Sequence, residues 1–191
     1  MSDLRTTFIG AGAGAFAGFV ASLFSAVWAK CGLHYGLTIE PQQRSGTRAC
    51  VRVHNRFIFP MTSAYAYISI DHELEDVIAP PNGWSTFVTQ QSRCRVKEDR
   101  LCWSLTAPQS NPPVVDIYSG ERQSLDVVNF GSGWMEFPSE KGWASTGQIS
   151  RVFLKLKRYR ATIKIVSKDT WAKKFQLEID PANENSPINL I

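Results

Sequence analysis

The sequence predicts an all-β body, an antiparallel two-sheet β-sandwich, preceded by a single N-terminal transmembrane helix. Two observations predict it: no residue is charged between Arg5 and Lys30, and beyond residue 48 short segments alternate apolar and polar side chains. The 191 residues suffice for one core plus an anchor, and not for two ordinary domains beside that anchor. With 43% hydrophobic and 20% charged residues, the bulk of the chain is globular rather than disordered. The expected division is a flank over 1–7, the helix over 8–30, a juxtamembrane linker over 31–47, the sandwich over 48–180 and a C-terminal tail over 181–191.

The helix comes first. Phe8 to Ala29 contains only Phe, Ile, Gly, Ala, Val, Leu, Ser and Trp, and at about 1.5 Å rise per residue it covers a hydrocarbon layer of roughly 30 Å. Backbone groups in lipid must be satisfied within the segment, which demands a helix. Trp28 and Lys30 mark the interface at one end. A cleaved signal peptide is the competing reading, since Val27 and Ala29 suit a peptidase site. The length of the apolar stretch, and a start where Asp3 offsets Arg5, favour the anchor. Gly10, Gly14, Gly18, Ser22 and Ala26 recur every four residues and form a small-residue stripe, a helix-packing face for a second copy or a neighbouring membrane protein. Lys30, Arg44 and Arg48 against Glu40 outweigh the N-terminal charges slightly, which places the body in the cytoplasm, with an extracytoplasmic body as the alternative. Cys31, Cys50, Cys94 and Cys102 show no metal-like spacing, and their disulfide state is open.

The strands follow. In Cys50 to Asn55, Val51 and Val53 alternate with Arg52 and His54; in Ser63 to Asp71, Ala64, Ala66, Ile68 and Ile70 form one face. Ser85 to Thr89, Cys94 to Lys97, Leu101 to Leu105, Val114 to Tyr118 and Gln123 to Asn129 are further strands, and Asp71 to Val77 suits a short helical turn. Near the end, Val152, Leu154 and Leu156 share a face. Tyr159 to Val166 and Lys173 to Ile179 read as a hairpin joined through Ser167 to Trp171. Trp103 lies in an apolar strand and belongs to the core, whereas Trp84, Trp134 and Trp143 lie near turns and are candidate partner contacts.

The run from Val51 to Ile70, the Leu101-Cys102-Trp103-Ser104 strand, the turn at Gly120-Glu121 leading into Leu125-Asp126-Val127 and the closing hairpin resemble an immunoglobulin-like β-sandwich. Uncharacterised prokaryotic membrane-anchored domains use this arrangement, and the resemblance spans most of Cys50 to Ile179. It implies a fold and no activity. The chain departs from the antibody-type framework, because no two cysteines pair recognisably across a core tryptophan.

No motif supports catalysis, a metal or a cofactor, so the expectation is no enzyme. Gly10 to Gly14 lacks the Gly-Lys-Ser/Thr of a phosphate loop, and Gly131-Ser132-Gly133-Trp134 is a turn rather than a hydrolase elbow. Asp71, Glu73, Glu75 and Asp76 surround His72, but without a calcium-loop spacing they read as a solvated loop. His34, His54 and His72 lie in separate segments. The formal charge of +4 is concentrated near the end, where Arg151, Lys155, Lys157, Arg158, Arg160, Lys164, Lys168, Lys173 and Lys174 face only Asp169. These read first as a solvated, charged sheet face; the alternative is an anionic contact, with lipid headgroups favoured over nucleic acid. The expected function is a membrane-tethered, non-enzymatic binding or scaffolding module that self-associates through its helix. The alternative is an extracytoplasmic structural or envelope protein with a signal anchor or pilin-like stem.

Overall fold

A computed structural model describes residues 3–78, 99–104, 114–137 and 153–191 of the chain. A helix α1 over Asp3–Gly36 is followed by β1 (Leu37–Pro41), β2 (Arg48–Asn55), β3 (Met61–Asp71), a 3-10 turn (Leu74–Asp76), β4 (Asp99–Arg100) and β5 (Trp103–Ser104). Then come β6 (Val115–Ile117), β7 (Arg122–Gly131), β8 (Trp134–Glu136), β9 (Phe153–Lys155), β10 (Tyr159–Val166), β11 (Lys173–Ile179) and β12 (Ile188–Leu190). The strands expected at Ser85 to Thr89 and Cys94 to Lys97 lie outside the described residues.

The strands form two antiparallel sheets, arranged as a sandwich. One runs β1-β2-β7-β8-β9, with β5 also paired to β7; the other runs β12-β11-β10-β3-β4, with β6 also paired to β3. The segment 99–104 crosses between them: β4 pairs with β3, and β5 pairs with β7 one turn of chain later. Period-two patterning fixes the register, because a slip by one residue would turn every apolar side chain to water. Ala64, Ala66, Ile68 and Ile70 on β3, and Tyr159, Ala161, Ile163 and Ile165 on β10, are all buried as their alternation requires. Trp103 is fully buried and donates its indole N–H to Ala64 O at 3.2 Å, so its one polar atom is satisfied inside the core. The β7–β8 hairpin closes through Ser132-Gly133, where a φ of 83° needs glycine.

Three boundaries differ from the sequence reading. The segment 31–47 is not a linker: the helix continues past Lys30 to Gly36 and passes directly into β1, which pairs with β2 from Leu37↔Asn55 to Pro41↔Val51. One lysine among apolar residues does not end a helix, and Leu33 and Leu37 continue its course into the core. The segment 181–191 is not a free tail, since Ile188 is buried and β12 pairs with β11. Leu156 does not share a buried face with Leu154, because β9 ends at Lys155 and Leu156 is exposed beyond it.

The helix differs from the body in what surrounds it. Ala15–Gly36 is long and apolar enough to cross a membrane, and only 6% of that stretch is buried against the rest of the chain. It is not a core helix.

Candidate functional site

The most built feature of the molecule is the junction where α1 meets the sandwich. A helix ends with carbonyls that have no partner inside it. Here the body takes two of them, on His34 and Gly36, and also the first carbonyl of β1. Lys173, at the start of β11, donates to His34 O and to Leu37 O, both at 2.7 Å, and Arg56 N donates to Gly36 O at 2.9 Å. A cation at this position also complements the negative end of the helix dipole. Burial lowers the Lys173 ammonium from its ordinary range, the cost of withdrawing it from water to reach these oxygens.

Packing completes the joint. Gly32 and Gly36, one turn apart, receive the side chain of Phe57: a Cβ at Gly32 would stand 2.0 Å from Phe57 Cζ, and one at Gly36 2.8 Å from Phe57 Cβ. Trp28 meets the rings of Phe57 and Phe59 edge-on, with centroids 5.4 and 6.2 Å apart. On the other side, His34 meets Trp171 at 6.3 Å. The loop that carries Phe57 and Phe59 is held from below by Asn55, fully buried, which donates to Phe59 O at 2.8 Å and Ile117 O at 3.1 Å and accepts from Phe57 N at 3.0 Å. Asp169 ties the β10–β11 turn to β3, accepting from Thr62 N at 2.7 Å and from the Thr62 hydroxyl.

The small-residue stripe is only partly free. Gly18 has open space around it, and Ser22 turns its hydroxyl back onto Phe19 O at 2.8 Å, leaving a smooth surface. Ala26, however, lines a groove opposite Phe59, Pro60 and Thr62. The body's own loop therefore occupies the neighbourhood of the stripe's last member. Gly10 and Gly14 lie in the first half of the helix.

The basic residues do not form one surface. Arg151 lies outside the described residues; Lys155 ends β9 in one sheet, while Arg160, Lys164, Lys173 and Lys174 lie on β10 and β11 in the other. Lys164 and Lys174 are cross-strand neighbours, and Lys168 stands exposed in the turn beside α1. Lys157 and Arg158 lie at the opposite end of β10, about 23 Å away at roughly 3.3 Å per residue. There they are paired: Lys157 with Asp76 at 2.6 Å, and Arg158 with Asp180 at 2.7 Å and Glu178 at 3.5 Å.

The acidic cluster is accordingly not a purely solvated loop. Asp76 and His72 are buried. Asp76 accepts from Glu73 N at 3.0 Å, which closes the 3-10 turn on itself. Burial raises its carboxyl, but the Lys157 hydrogen bond, the Glu73 amide and the nearby lysine charges outweigh that and hold it below the usual carboxylate range. Among the described residues no group of three or more His, Cys, Asp or Glu side chains could hold a metal ion.

One polar constellation stood outside the sequence reading. On the outer face of the first sheet, Asp126 is buried and accepts from Cys50 Sγ at 3.1 Å and from the Ser104 hydroxyl, with Arg48 at 3.6 Å. Burial and the Asp126 carboxylate push the Cys50 thiol up to about 12. A thiol held so firmly protonated is a hydrogen-bond donor and a poor nucleophile. Register alone brings these residues together, since Cys50↔Asp126 and Ser104↔Ser124 are cross-strand pairs.

Of the tryptophans, Trp103 is core as expected. Trp134 packs its ring on Gly131 and Phe153, and Trp84 and Trp143 lie outside the described residues. The junction itself was missed, although Gly32 and Gly36 carry its signal: a small-residue pair at four-residue spacing just beyond Lys30. The sequence matches no protein-family model and no curated protein.

Proposed function

We propose that this protein is a single-pass membrane-tethered, non-enzymatic binding or scaffolding module, with its β-body on the cytoplasmic side. The observation that carries this reading is the contrast along α1: its C-terminal turns are capped and packed by the body, while Phe16 and Phe24 are 70% and 75% exposed among the described residues. Such a helix, left in water, would expose an apolar surface far larger than a soluble protein carries. Lipid is the environment that removes it. The immunoglobulin-like reading of the sandwich is supported by the two antiparallel sheets around a buried strand tryptophan. Cys50 is used as a thiol donor to Asp126, which suits a reducing compartment. The non-enzymatic reading is supported by the use of Cys50 and Asp76 in structural pairs.

Membranes from cells expressing the full chain test it. The protein should stay in the pellet through alkaline extraction, and a C-terminal tag should resist protease until the membrane is opened. Release into the alkaline supernatant removes the membrane reading. A tag digested from outside transfers the protein to the envelope and makes it an extracytoplasmic structural protein.

A further inference from the structure

Three loops converge on the end of the sandwich where α1 leaves it. They are the Arg56 to Pro60 loop, the turn after β6, which Gly120 N ties to Asn55 O at 2.8 Å, and the β10–β11 turn. Together they expose Ile58, Phe59, Tyr118 and Trp171, of which Ile58 is 65% and Trp171 49% exposed. The opposite end exposes Leu156 beside Lys155, Lys157 and Arg158. Elsewhere on the described body, Leu190 and Ile191 are exposed along the edge strand β12.

Position along the helix decides what the first group meets. Phe57 lies against Gly32 and Gly36, Phe59 beside Trp28, and the groove under Pro60 reaches back to Ala26. Ala26 precedes Gly36 by about 15 Å at roughly 1.5 Å per residue. The uncharged stretch ends at Ala29, so Phe59 beside Trp28 and the groove at Ala26 stand alongside its last turn, and Phe57 lies just past it. A helix that spans the bilayer therefore carries these loops down to the interfacial layer, the depth at which indole and phenol side chains are best accommodated. Cations lie at the same level: Lys30 on the helix and Lys168 on the turn both line the groove and are exposed. Its one acid, Asp169, is already engaged by Thr62.

Resting on the membrane reading above, we infer that this end of the β-body is itself a lipid-contact surface. Ile58, Phe59 and Trp171 enter the interfacial layer of the bilayer that holds α1, and Lys30 and Lys168 meet headgroup phosphates. The body is thereby seated on the membrane in one orientation, and does not swing on a tether. The occupant is lipid because the surface is continuous with the exposed apolar face of the helix and shares its depth.

The test uses the full chain in liposomes containing an anionic phospholipid, with the photoreactive residue p-benzoylphenylalanine in place of Phe24, Ile58 or Leu156 in separate preparations, and irradiation followed by mass analysis. Lipid adducts at 24 and 58 and none at 156 are expected. Trp171 serves as a second reporter at the helix end should the position 58 variant fold poorly. Adducts at 24 with none at 58 and 171 overturn the lipid contact and leave the membrane anchor standing. Protein-to-protein adducts at 58 overturn it in favour of a second copy or another protein. No lipid adduct at 24 removes the anchor and this inference with it.

Discussion

The β10–β11 hairpin has two ends that are equally basic and behave differently. At the end near α1, Lys173 is drawn out of water and given to a carbonyl of the last helical turn and to the first carbonyl of β1. At the far end, Lys157 and Arg158 keep their solvent and pair with Asp76 and Asp180. The lesson is that charge in a sequence does not state its task. Oxygens at the helix end turn one lysine into a structural bolt, whereas cations that keep their solvent at the far end pair with carboxylates, one of them the buried Asp76.

The near end should be the costlier to break. Leu37→Ala opens a cavity where the helix passes into β1, and about 2–5 kcal/mol of stability should be lost, read from urea unfolding of the full chain in detergent. Gly36→Val drives a side chain into Phe57 and should cost about 1–3 kcal/mol by the same measurement. Lys173→Met leaves the His34 carbonyl at the helix end and the Leu37 carbonyl at the start of β1 without this donor and should cost about 1–3 kcal/mol, with faster amide exchange over the last helical turn.

The far end should give the smallest effect and an acid signature. Above the ordinary carboxylate value of 3.8, Asp76 is ionised in both folded and unfolded chains, and its contribution is complete. As pH falls below 3.8 the unfolded chain takes up the proton first, so stability declines until the lowered folded-state value is passed. Asp76→Asn should flatten this acid limb in unfolding measured against pH, and should leave exchange at the helix end unchanged. If Asp76→Asn loosened the helix end as Lys173→Met does, the two ends would not be independent.

Much of the body was legible because period two has a direct physical cause: β2, β3, β10 and β11 each bury one face, and Val51, Ile68, Ile163 and Leu177 show it in the sequence. The helix was legible for a different reason, as a long stretch without charge. Short elements were not. β1, β8 and β12 are three to five residues long, too brief for an alternation to stand out, and are defined by the neighbours they pair with. The candidate basic residues are divided by topology, since those described lie on two sheets and at two ends. The Cys50, Ser104 and Asp126 cluster was invisible because register assembles it from three strands. At the junction, reading Lys30 as the boundary concealed Gly32 and Gly36, whose spacing marks a place where something packs closely. That something is Phe57 of the same chain.

The joint between helix and sandwich is the claim on which the rest turns, and amide hydrogen exchange across residues 31–41 of the full chain in detergent or lipid tests it most directly. Protection continuous from the helix through Gly36 into β1, comparable with that of β2, is the predicted result. Exchange at the rate of an unstructured chain over this segment would contradict it and would return the molecule to a helix and a sandwich joined by a flexible tether.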